Sequence, residues 1–365
     1  MFSILSNYKT ANNVLLAKIN KLKKAGFTIS LQKHPLYEEY TLDKITIKSK
    51  RKTKHRLVLS SGLHGVEGFV GHAAIHSFFD TFLDTLNDYT EVIIFPTINP
   101  YGMDTHQRTN IHNVDLNRNF SKNDFSSENS KYLKVKEFVE PKEYKNAVTM
   151  NSSFYFELGK LMKQNGINYL NEAFLLGQNF QENGIYYTGT KYEPETQFIM
   201  NEFHTFMKTK VPLTWIDIHS GYGPKDQMSL INSQYEIDVT NDMIEHCDYP
   251  LILGINDNDI YDTDGDIIEK LYEIKDSKYS KLEFYATTLE FGTTGTGSIK
   301  SIESLKALIA RNNVRFIEKN QNIESYAIKL MKKQFAPKND KWRQKANQDF
   351  IQAMTAILTY KKLVN

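Results

Sequence analysis

Residues 56–95 read RLVLSSGLHGVEGFVGHAAIHSFFDTFLDTLNDYTEVIIF. Two short apolar runs, at 56–60 and 91–95, have the length and the continuous apolar character of buried strands. The residues between them, at 67–83, favour a helix. A strand, a helix and a second strand in this order predict a parallel crossover unit, and therefore an α/β fold.

The rest of the chain agrees with this class. Residues 4–24 place apolar side chains at helical spacing, and this helix is expected to end at Gly26. The chain has no internal repeat and no Pro/Gly/Ser linker, so we expect a single domain over 1–365. Further strands are predicted at 27–32, 40–49, 213–218, 228–232, 250–255 and 285–291, and further helices at 152–164, 195–208, 301–318 and 341–362.

Composition and charge exclude several classes of partner. The 365 residues contain 45 Lys and Arg against 43 Asp and Glu, a net charge of only +2. This balance gives no electrostatic reason to expect binding to nucleic acid or to an acidic membrane. The single cysteine, Cys247, rules out an internal disulfide. Since the N-terminus has no signal-peptide pattern and no apolar run is long enough to span a membrane, we expect a cytoplasmic protein.

The loop after the first strand contains a His-x-x-Glu pattern, formed by His64 and Glu67. Gly62, Gly65 and Gly68 would let the chain turn sharply, so that both side chains reach one ion. The pattern alone is weak. Taken by itself it is more typical of a solvated loop histidine followed by a glutamate that the helix dipole favours.

A second histidine, His219, follows the buried strand at 213–218. Asp217 lies two residues earlier and therefore points to the same face of the strand. Such a histidine on its own is more often a hydrogen-bonded structural residue. With His64 and Glu67, however, it completes two histidines and one carboxylate, which is a ligand set of catalytic zinc sites.

Two further segments contain candidate catalytic groups. The stretch 108–120 includes Arg108, Asn117 and Arg118 without a nearby acidic run, and arginine suits bidentate recognition of a carboxylate. An ordinary charged surface loop is the simpler interpretation of this segment alone. Glu290 interrupts the apolar strand at 285–291, where a carboxylate is costly unless it is paired or functional. One such function is a general base beside an activated water.

Taken in order, these segments resemble the zinc carboxypeptidase family, in a little-characterised bacterial branch. The resemblance covers about residues 55–295, the expected core, with the N-terminal helix and strands and the C-terminal helices packed on it. It implies a single α/β domain with a mixed, mainly parallel twisted sheet and helices on both faces. The matching pattern is His64-x-x-Glu67, Asn99-Pro-x-Gly102, Arg108, the stretch 114–120, His219-Ser220 and Leu289-Glu290.

The resemblance also implies residue roles. One zinc ion per chain would be bound by His64, Glu67 and His219, with Asp115 orienting His64. Arg108 would stabilise the oxyanion of the tetrahedral intermediate. Glu290 would act as the general base on a zinc-activated water. The terminal carboxylate of a peptide or peptide-like substrate would be held by the pair Asn117 and Arg118.

The tyrosine that covers the substrate in this family lies between the third zinc ligand and the catalytic glutamate. The corresponding interval here, 220–289, holds seven tyrosines, and no local pattern selects one. Tyr186 and Tyr187, in the long stretch 121–210, could line the pocket instead.

Three functions follow from this sequence. The first is a zinc hydrolase that cleaves a C-terminal amide bond. The second is a zinc-dependent deacylase or amidase acting on small N-acyl amino acids or on cell-wall peptides. The third is a non-catalytic binding protein with the same fold. The sequence does not predict the oligomeric state.

Overall fold

The computed structural model describes residues 2–37, 39–121, 125, 129–254, 264–295, 297–317 and 320–364. The strands are β1 (Ile29–Tyr37), β2 (Tyr40–Ile47), β3 (His55–Ser61), β4 (Thr90–Phe95), β5 (Leu213–Ser220), β6 (Met228–Asn232), β7 (Ile252–Gly254) and β8 (Phe284–Phe291). The helices are α1 (Tyr8–Lys24), α2 (Gly68–Thr81), α3 (Pro100–Asp104), α4 (Ser130–Val139), α5 (Ala147–Asn165), α6 (Ile167–Leu175), α7 (Pro194–Lys208), α8 (Ile237–His246), α9 (Ile267–Lys278), α10 (Ser298–Phe316), α11 (Gln321–Phe335) and α12 (Asp340–Tyr360).

The eight strands form one sheet in the order β1-β2-β4-β3-β5-β8-β6-β7. The central pairs β4-β3, β3-β5 and β5-β8 are parallel, as is the edge pair β6-β7. The pairs β1-β2, β2-β4 and β8-β6 are antiparallel. The predicted α/β fold with a mixed, mainly parallel sheet is therefore confirmed.

Helices cover both faces of the sheet, as the resemblance implied. Side chains alternate between the faces of a strand, so neighbouring residues of β3 enter different cores. Leu57 and Leu59 pack in one apolar cluster with residues of α1, α2 and α12. Val58 packs in a second cluster with residues of α7 and α9. Every residue of β5 is buried, because this strand lies in the middle of the sheet.

The stretch 121–210 packs against the C-terminal part of the chain. A third apolar cluster joins residues of α4, α5 and α6 to residues of α10 and α11. These contacts bring helices from the stretch 121–210 and from the C-terminal part of the chain to the same side of the molecule. No described helix combines the length and the apolar character needed to cross a membrane.

Several predicted bounds were wrong. The helix expected from residue 67 begins at Gly68, because a 3-10 turn over Gly65–Glu67 precedes it. The strand expected at 27–32 continues to Tyr37, since it pairs with β2 along its length. The strand expected at 250–255 is described only as Ile252–Gly254, and residue 255 lies outside the described residues. The helices α3, α4, α6, α8, α9 and α11 were not predicted.

Candidate metal centre

The candidate site lies at the carboxyl ends of three neighbouring parallel strands. The chain leaves β3 through a turn at Gly62, where φ is 63°, and then reaches His64. His219 belongs to β5 and Glu290 to β8, and these two residues are direct partners in the register of the strands. This is the edge at which open α/β sheets bring together residues from distant parts of the chain.

His64, Glu67 and His219 converge on one point. The Nδ1 atoms of the two histidines lie 3.3 Å apart. Glu67 Oε1 lies 3.0 Å from His64 Nδ1, and Glu67 Oε2 lies 3.1 Å from His219 Nδ1. All three side chains are buried. Among the described residues they form the one group of three side chains with metal-ligand spacing.

These separations fit a tetrahedral metal ion. Nitrogen ligands at zinc distances of about 2.0–2.1 Å lie about 3.3 Å from each other in tetrahedral geometry. The distance between the two Nδ1 atoms is 3.3 Å. Two nitrogen atoms and a carboxylate held this close, away from water, need a shared proton or a cation between them. The donor set therefore suits a bound zinc ion.

Two buried aspartates lie close to the Nε2 atoms of the histidine rings. Asp217 Oδ2 lies 2.6 Å from His219 Nε2, and Asp115 Oδ1 lies 3.2 Å from His64 Nε2. With Nε2 facing a carboxylate, Nδ1 is the nitrogen that points toward the centre in both rings. Asp217 is itself fixed by Ser60, whose hydroxyl donates a hydrogen bond of 2.6 Å. Outer carboxylates of this kind set the tautomer and orientation of ligand histidines.

The charges of the site hold Glu67 in its ionised form. Burial acts to raise the pKa of Glu67, but the nearby His64 and a hydrogen bond from His219 hold it well below its usual range. Burial likewise acts against a charged His219, and Asp217 outweighs it and raises the pKa of His219. The backbone N–H of Ser220 also donates to Glu67 Oε2, at 3.0 Å. An ionised carboxylate is what a metal ligand requires.

Glu290 lies at the edge of this group, opposite His219. Its Oε1 accepts a hydrogen bond of 3.0 Å from the backbone N–H of Tyr222. Burial, followed by the negative charge of Glu67, raises the pKa of Glu290 to about 8. A half-buried carboxylate with a raised pKa beside a group of candidate metal ligands is typical of an acid–base residue.

Arg108 forms the opposite side of the site. Its Nε donates a hydrogen bond of 2.7 Å to Asp115 Oδ2, and its Nη1 lies 3.7 Å from Glu67 Oε1. Burial acts to lower the pKa of Arg108, but Asp115 and Glu67 outweigh burial and raise it. Asp115 therefore contacts both His64 and Arg108, and it couples the position of a candidate ligand to that of a fixed positive charge.

Asn117 and Arg118 follow on a 3-10 turn over Leu116–Arg118. The Asn117 side chain donates to Asp266 at 3.0 Å and accepts from the Ile267 backbone N–H at 3.1 Å, so it anchors the start of α9. The guanidinium of Arg118 is largely buried, and its Nη1 donates to the Asn117 carbonyl oxygen at 2.8 Å. Burial lowers the pKa of Arg118.

The loop that holds His64 and Glu67 depends on a close backbone contact. Gly65 packs against Gly102 in α3, the helix that precedes the loop with Arg108. A Cβ atom on Gly65 would lie 2.1 Å from the Gly102 carbonyl carbon, so no larger residue fits. Backbone bonds continue the contact, because Gly65 N donates to Arg108 O and Val66 N donates to Gln107 O. The ligand loop and the Arg108 loop thus form one unit.

A family model described as DUF2817, protein of unknown function, matches residues 4–349. The chain belongs to this family. A search of curated proteins finds no match to this DUF2817 member.

Two solved structures show that the DUF2817 member has the metallocarboxypeptidase fold. Bovine thrombin-activatable fibrinolysis inhibitor, solved in complex with tick carboxypeptidase inhibitor, superposes with a TM-score of 0.51 at 15% identity, over 90% of this chain and 98% of that chain. A second structure of thrombin-activatable fibrinolysis inhibitor superposes with a TM-score of 0.51 at 14% identity, over 87% of this chain and 74% of that chain. The murein-tripeptide amidase of Escherichia coli O157 superposes with a TM-score of 0.36 at 17% identity, over 77% of this chain and 89% of that chain.

No role in the DUF2817 site is predicted from the sequence for Asp217, although its position two residues before His219 on the same strand is a usable signal. Tyr186, which the sequence offers as a residue that could line the pocket, comes from the long stretch 121–210, and its ring contacts both Arg108 and Arg118. Of the seven tyrosines in 220–289, Tyr222 is exposed beside Glu290, and Tyr261 lies outside the described residues.

Proposed function

We propose that this protein is a zinc-dependent hydrolase that cleaves a C-terminal amide bond of a peptide or peptide-like substrate. One zinc ion per chain would be held by His64, Glu67 and His219. The observation that supports this most strongly is the convergence of two histidine Nδ1 atoms and one carboxylate at tetrahedral spacing. When bound, zinc lowers the pKa of a coordinated water and polarises a carbonyl oxygen.

Glu290 would act as the general base. It would accept a proton from the attacking water and transfer it to the leaving nitrogen. Its position opposite His219, in register on β8, supports this role. The raised pKa of Glu290 arises partly from the negative charge of Glu67. Because a cation held by Glu67 would counter that charge, Glu290 is expected to be ionised near neutral pH in the loaded protein.

Arg108 would stabilise the negative charge that develops on the carbonyl oxygen. Its guanidinium reaches the edge of the ligand group, at 3.7 Å from Glu67 Oε1. The hydrogen bond to Asp115 fixes its direction before substrate arrives. A preorganised donor of this kind is effective because it does not need to reorient during the reaction.

Asn117 and Arg118 would hold the terminal carboxylate of the substrate. Arg118 supplies a largely buried positive charge. Asn117 uses one amide hydrogen on Asp266, and the second amide hydrogen would serve the carboxylate. Since Asn117 also anchors α9, we expect Arg118 to make the larger contribution to substrate binding.

The first experiment measures zinc and activity together. Wild type should contain about one zinc per chain, and His219→Ala should lose it, since a catalytic zinc site has only three protein ligands. Glu290→Gln should keep its zinc while hydrolysis of a peptide library falls by about 10²–10⁴-fold. The matched control is Glu283→Gln, the same change at an exposed position.

The outcomes separate the alternatives. Wild type that binds zinc but releases no C-terminal residue, while cleaving N-acyl amino acids, would identify a deacylase. Wild type that cannot be loaded with zinc would favour the non-catalytic binding protein. Full activity in Glu290→Gln would exclude Glu290 as the base.

A further inference from the structure

Tyr186 lies against both arginines of the proposed substrate site. Its ring centroid is 5.7 Å from Arg108 Cζ and 5.9 Å from Arg118 Cζ. These distances are within the range of cation–π attraction. We propose that Tyr186 is a positioning residue, whose ring holds the two guanidinium groups where they meet different parts of one substrate. This inference rests on the proposed function.

The backbone of Tyr186 is held in an unfavourable conformation. Its φ is 54°, in the left-handed region that a bulky residue seldom adopts. Such a conformation persists only where surrounding contacts enforce it, and it occurs most often at functional sites. Here the Tyr186 carbonyl oxygen accepts a hydrogen bond from Gln178 N at 3.0 Å. Gly177, where φ is 69°, makes the close approach of this segment possible, since a Cβ there would lie 3.1 Å from Tyr186 O.

The same segment is joined directly to the metal-site loop. The backbone N–H of Asp115 donates to the Tyr187 carbonyl oxygen at 2.8 Å, and Val114 pairs with Tyr187 in a parallel bridge. Asp115 also contacts His64 and Arg108. The position of Tyr186 is therefore fixed relative to the ligands and not only relative to the arginines.

Both arginines also have polar contacts, and the ring adds a contact that the two guanidinium groups share. Arg108 is held along one edge by Asp115, through the Nε hydrogen bond of 2.7 Å. Arg118 Nη1 donates to the Asn117 carbonyl oxygen. A single ring shared by both groups fixes their separation. This separation selects a substrate that carries a scissile carbonyl and a nearby free carboxylate, as an N-acylated C-terminal residue does.

The side-chain contacts that join Tyr186 to the two arginines are made by its ring. The contacts that the ring makes are those of its face, which phenylalanine also provides. Phenylalanine at this position should therefore keep the function, whereas leucine, an apolar side chain without a π face, should not.

The test compares Tyr186→Phe with Tyr186→Leu in the zinc-loaded full chain. For hydrolysis of a peptide with a free C-terminus, Tyr186→Phe should stay within about three-fold of wild type. Tyr186→Leu should lose about ten-fold or more in kcat/KM. KM should rise because Arg118 is no longer held in place to bind the carboxylate, and kcat should fall because Arg108 is no longer held in place to stabilise the oxyanion. Tyr187→Phe is the control for removing a neighbouring hydroxyl. Tyr186→Met is the second aliphatic variant if Tyr186→Leu does not fold.

A binding measurement separates this inference from the proposed reaction. The probe is benzoylglycine, an N-acylated amino acid with a free carboxylate. Its binding is measured by calorimetric titration. Binding by wild type and Tyr186→Phe, weakened about ten-fold in Tyr186→Leu, would support the positioning role even if no peptide were cleaved.

Two results would overturn the proposal. If Tyr186→Leu matched Tyr186→Phe in both kcat/KM and benzoylglycine affinity, the ring face would not be needed. A loss in Tyr186→Phe as large as in Tyr186→Leu would mean that the hydroxyl acts, rather than the ring.

Discussion

His219 and Glu290 are direct partners on the neighbouring parallel strands β5 and β8. Partners in register point to the same face of a sheet, and adjacent strands lie about 4.8 Å apart. The proposed third ligand and the proposed base are thus positioned by the backbone hydrogen bonds of the sheet. Because this geometry does not depend on a loop, changing either side chain should leave the other in place, which makes single substitutions informative.

Asp217→Asn should weaken zinc binding by about 10–100-fold, because an outer carboxylate fixes the ring orientation of a ligand histidine. The amide cannot reproduce both contacts of Asp217, which accepts from Ser60 while it faces His219 Nε2. Chelator competition followed by metal analysis gives the zinc affinity. Asp238→Asn, at an exposed position on α8, is the matched control. Equal affinity in wild type and Asp217→Asn would show that Asp217 does not support the ligand.

Arg108→Gln should lower kcat by about 10²–10³-fold, the usual cost of removing one donor to an oxyanion. The zinc content should be kept, since Arg108 is not a ligand. Steady-state kinetics on a cleaved peptide give kcat and KM. Arg51→Gln changes an exposed arginine and should have no effect on either. A change in KM alone would place Arg108 in ground-state binding instead of oxyanion stabilisation.

Glu195→Gln should change how stability depends on pH. Burial, followed by the charge of Glu193, raises the pKa of Glu195 from 4.5 to about 7 in the folded chain. The folded state therefore binds this proton more tightly than the unfolded state, and the free energy of unfolding falls as pH rises from about 4.5 to about 7. The neutral amide avoids that loss, so the free energy of unfolding of the variant should exceed that of wild type by up to about 3 kcal/mol at pH 8.

Denaturant unfolding at pH 4 and pH 8 measures this difference between the two proteins. At pH 4 both side chains are neutral in the folded state, and the gain from Glu195→Gln should largely disappear. Glu137→Gln, at an exposed position on α4, should give no pH-dependent gain. A gain of the same size at both pH values would point to packing rather than to ionisation of Glu195.

Gly65→Ala should destabilise the chain and lower its zinc affinity. The added Cβ would meet the Gly102 backbone at 2.1 Å, so the ligand loop must move away from the Arg108 loop. The expected cost is about 1–3 kcal/mol or more. Gly159→Ala is the matched control, because nothing lies within 4 Å of its Cβ and it is inside α5. That change should stabilise the chain by about 0.5–1 kcal/mol. Thermal unfolding of both variants, with and without zinc, makes the comparison.

The sequence predicted the elements whose patterns are strong and local. The strands β3, β4, β5 and β8 are rich in apolar residues, because they are largely buried in the middle of the sheet. The helix α3 has only five residues, too few to show a helical period. The helices α4 and α6 bury their apolar faces in a cluster with α10 and α11, and no local pattern reveals a partner so distant in sequence.

In the candidate site, too, residues with a local sequence pattern were predicted, and contacts between distant segments were not. His64, Glu67 and His219 were named from their types and positions, and the fold brings them together. The sequence offers Tyr186 only as a residue that could line the pocket, because its contacts with Arg108 and Arg118 exist only after the stretch 121–210 has folded back onto the sheet. The substrate roles of Asn117, Arg118 and Arg108 stay predictions.

The spread of the ligands along the chain has a consequence for biosynthesis. His64 and Glu67 follow β3, whereas His219 belongs to β5. Chains are made from the N-terminus at about 5–20 residues per second, so the first two ligands leave the ribosome several seconds before the third. A site with only two of the three proposed ligands would bind zinc weakly and reversibly. The proposed ion would be retained only after β5 has joined the sheet, so the nascent chain would acquire it late, after the stretch 121–210 has been made.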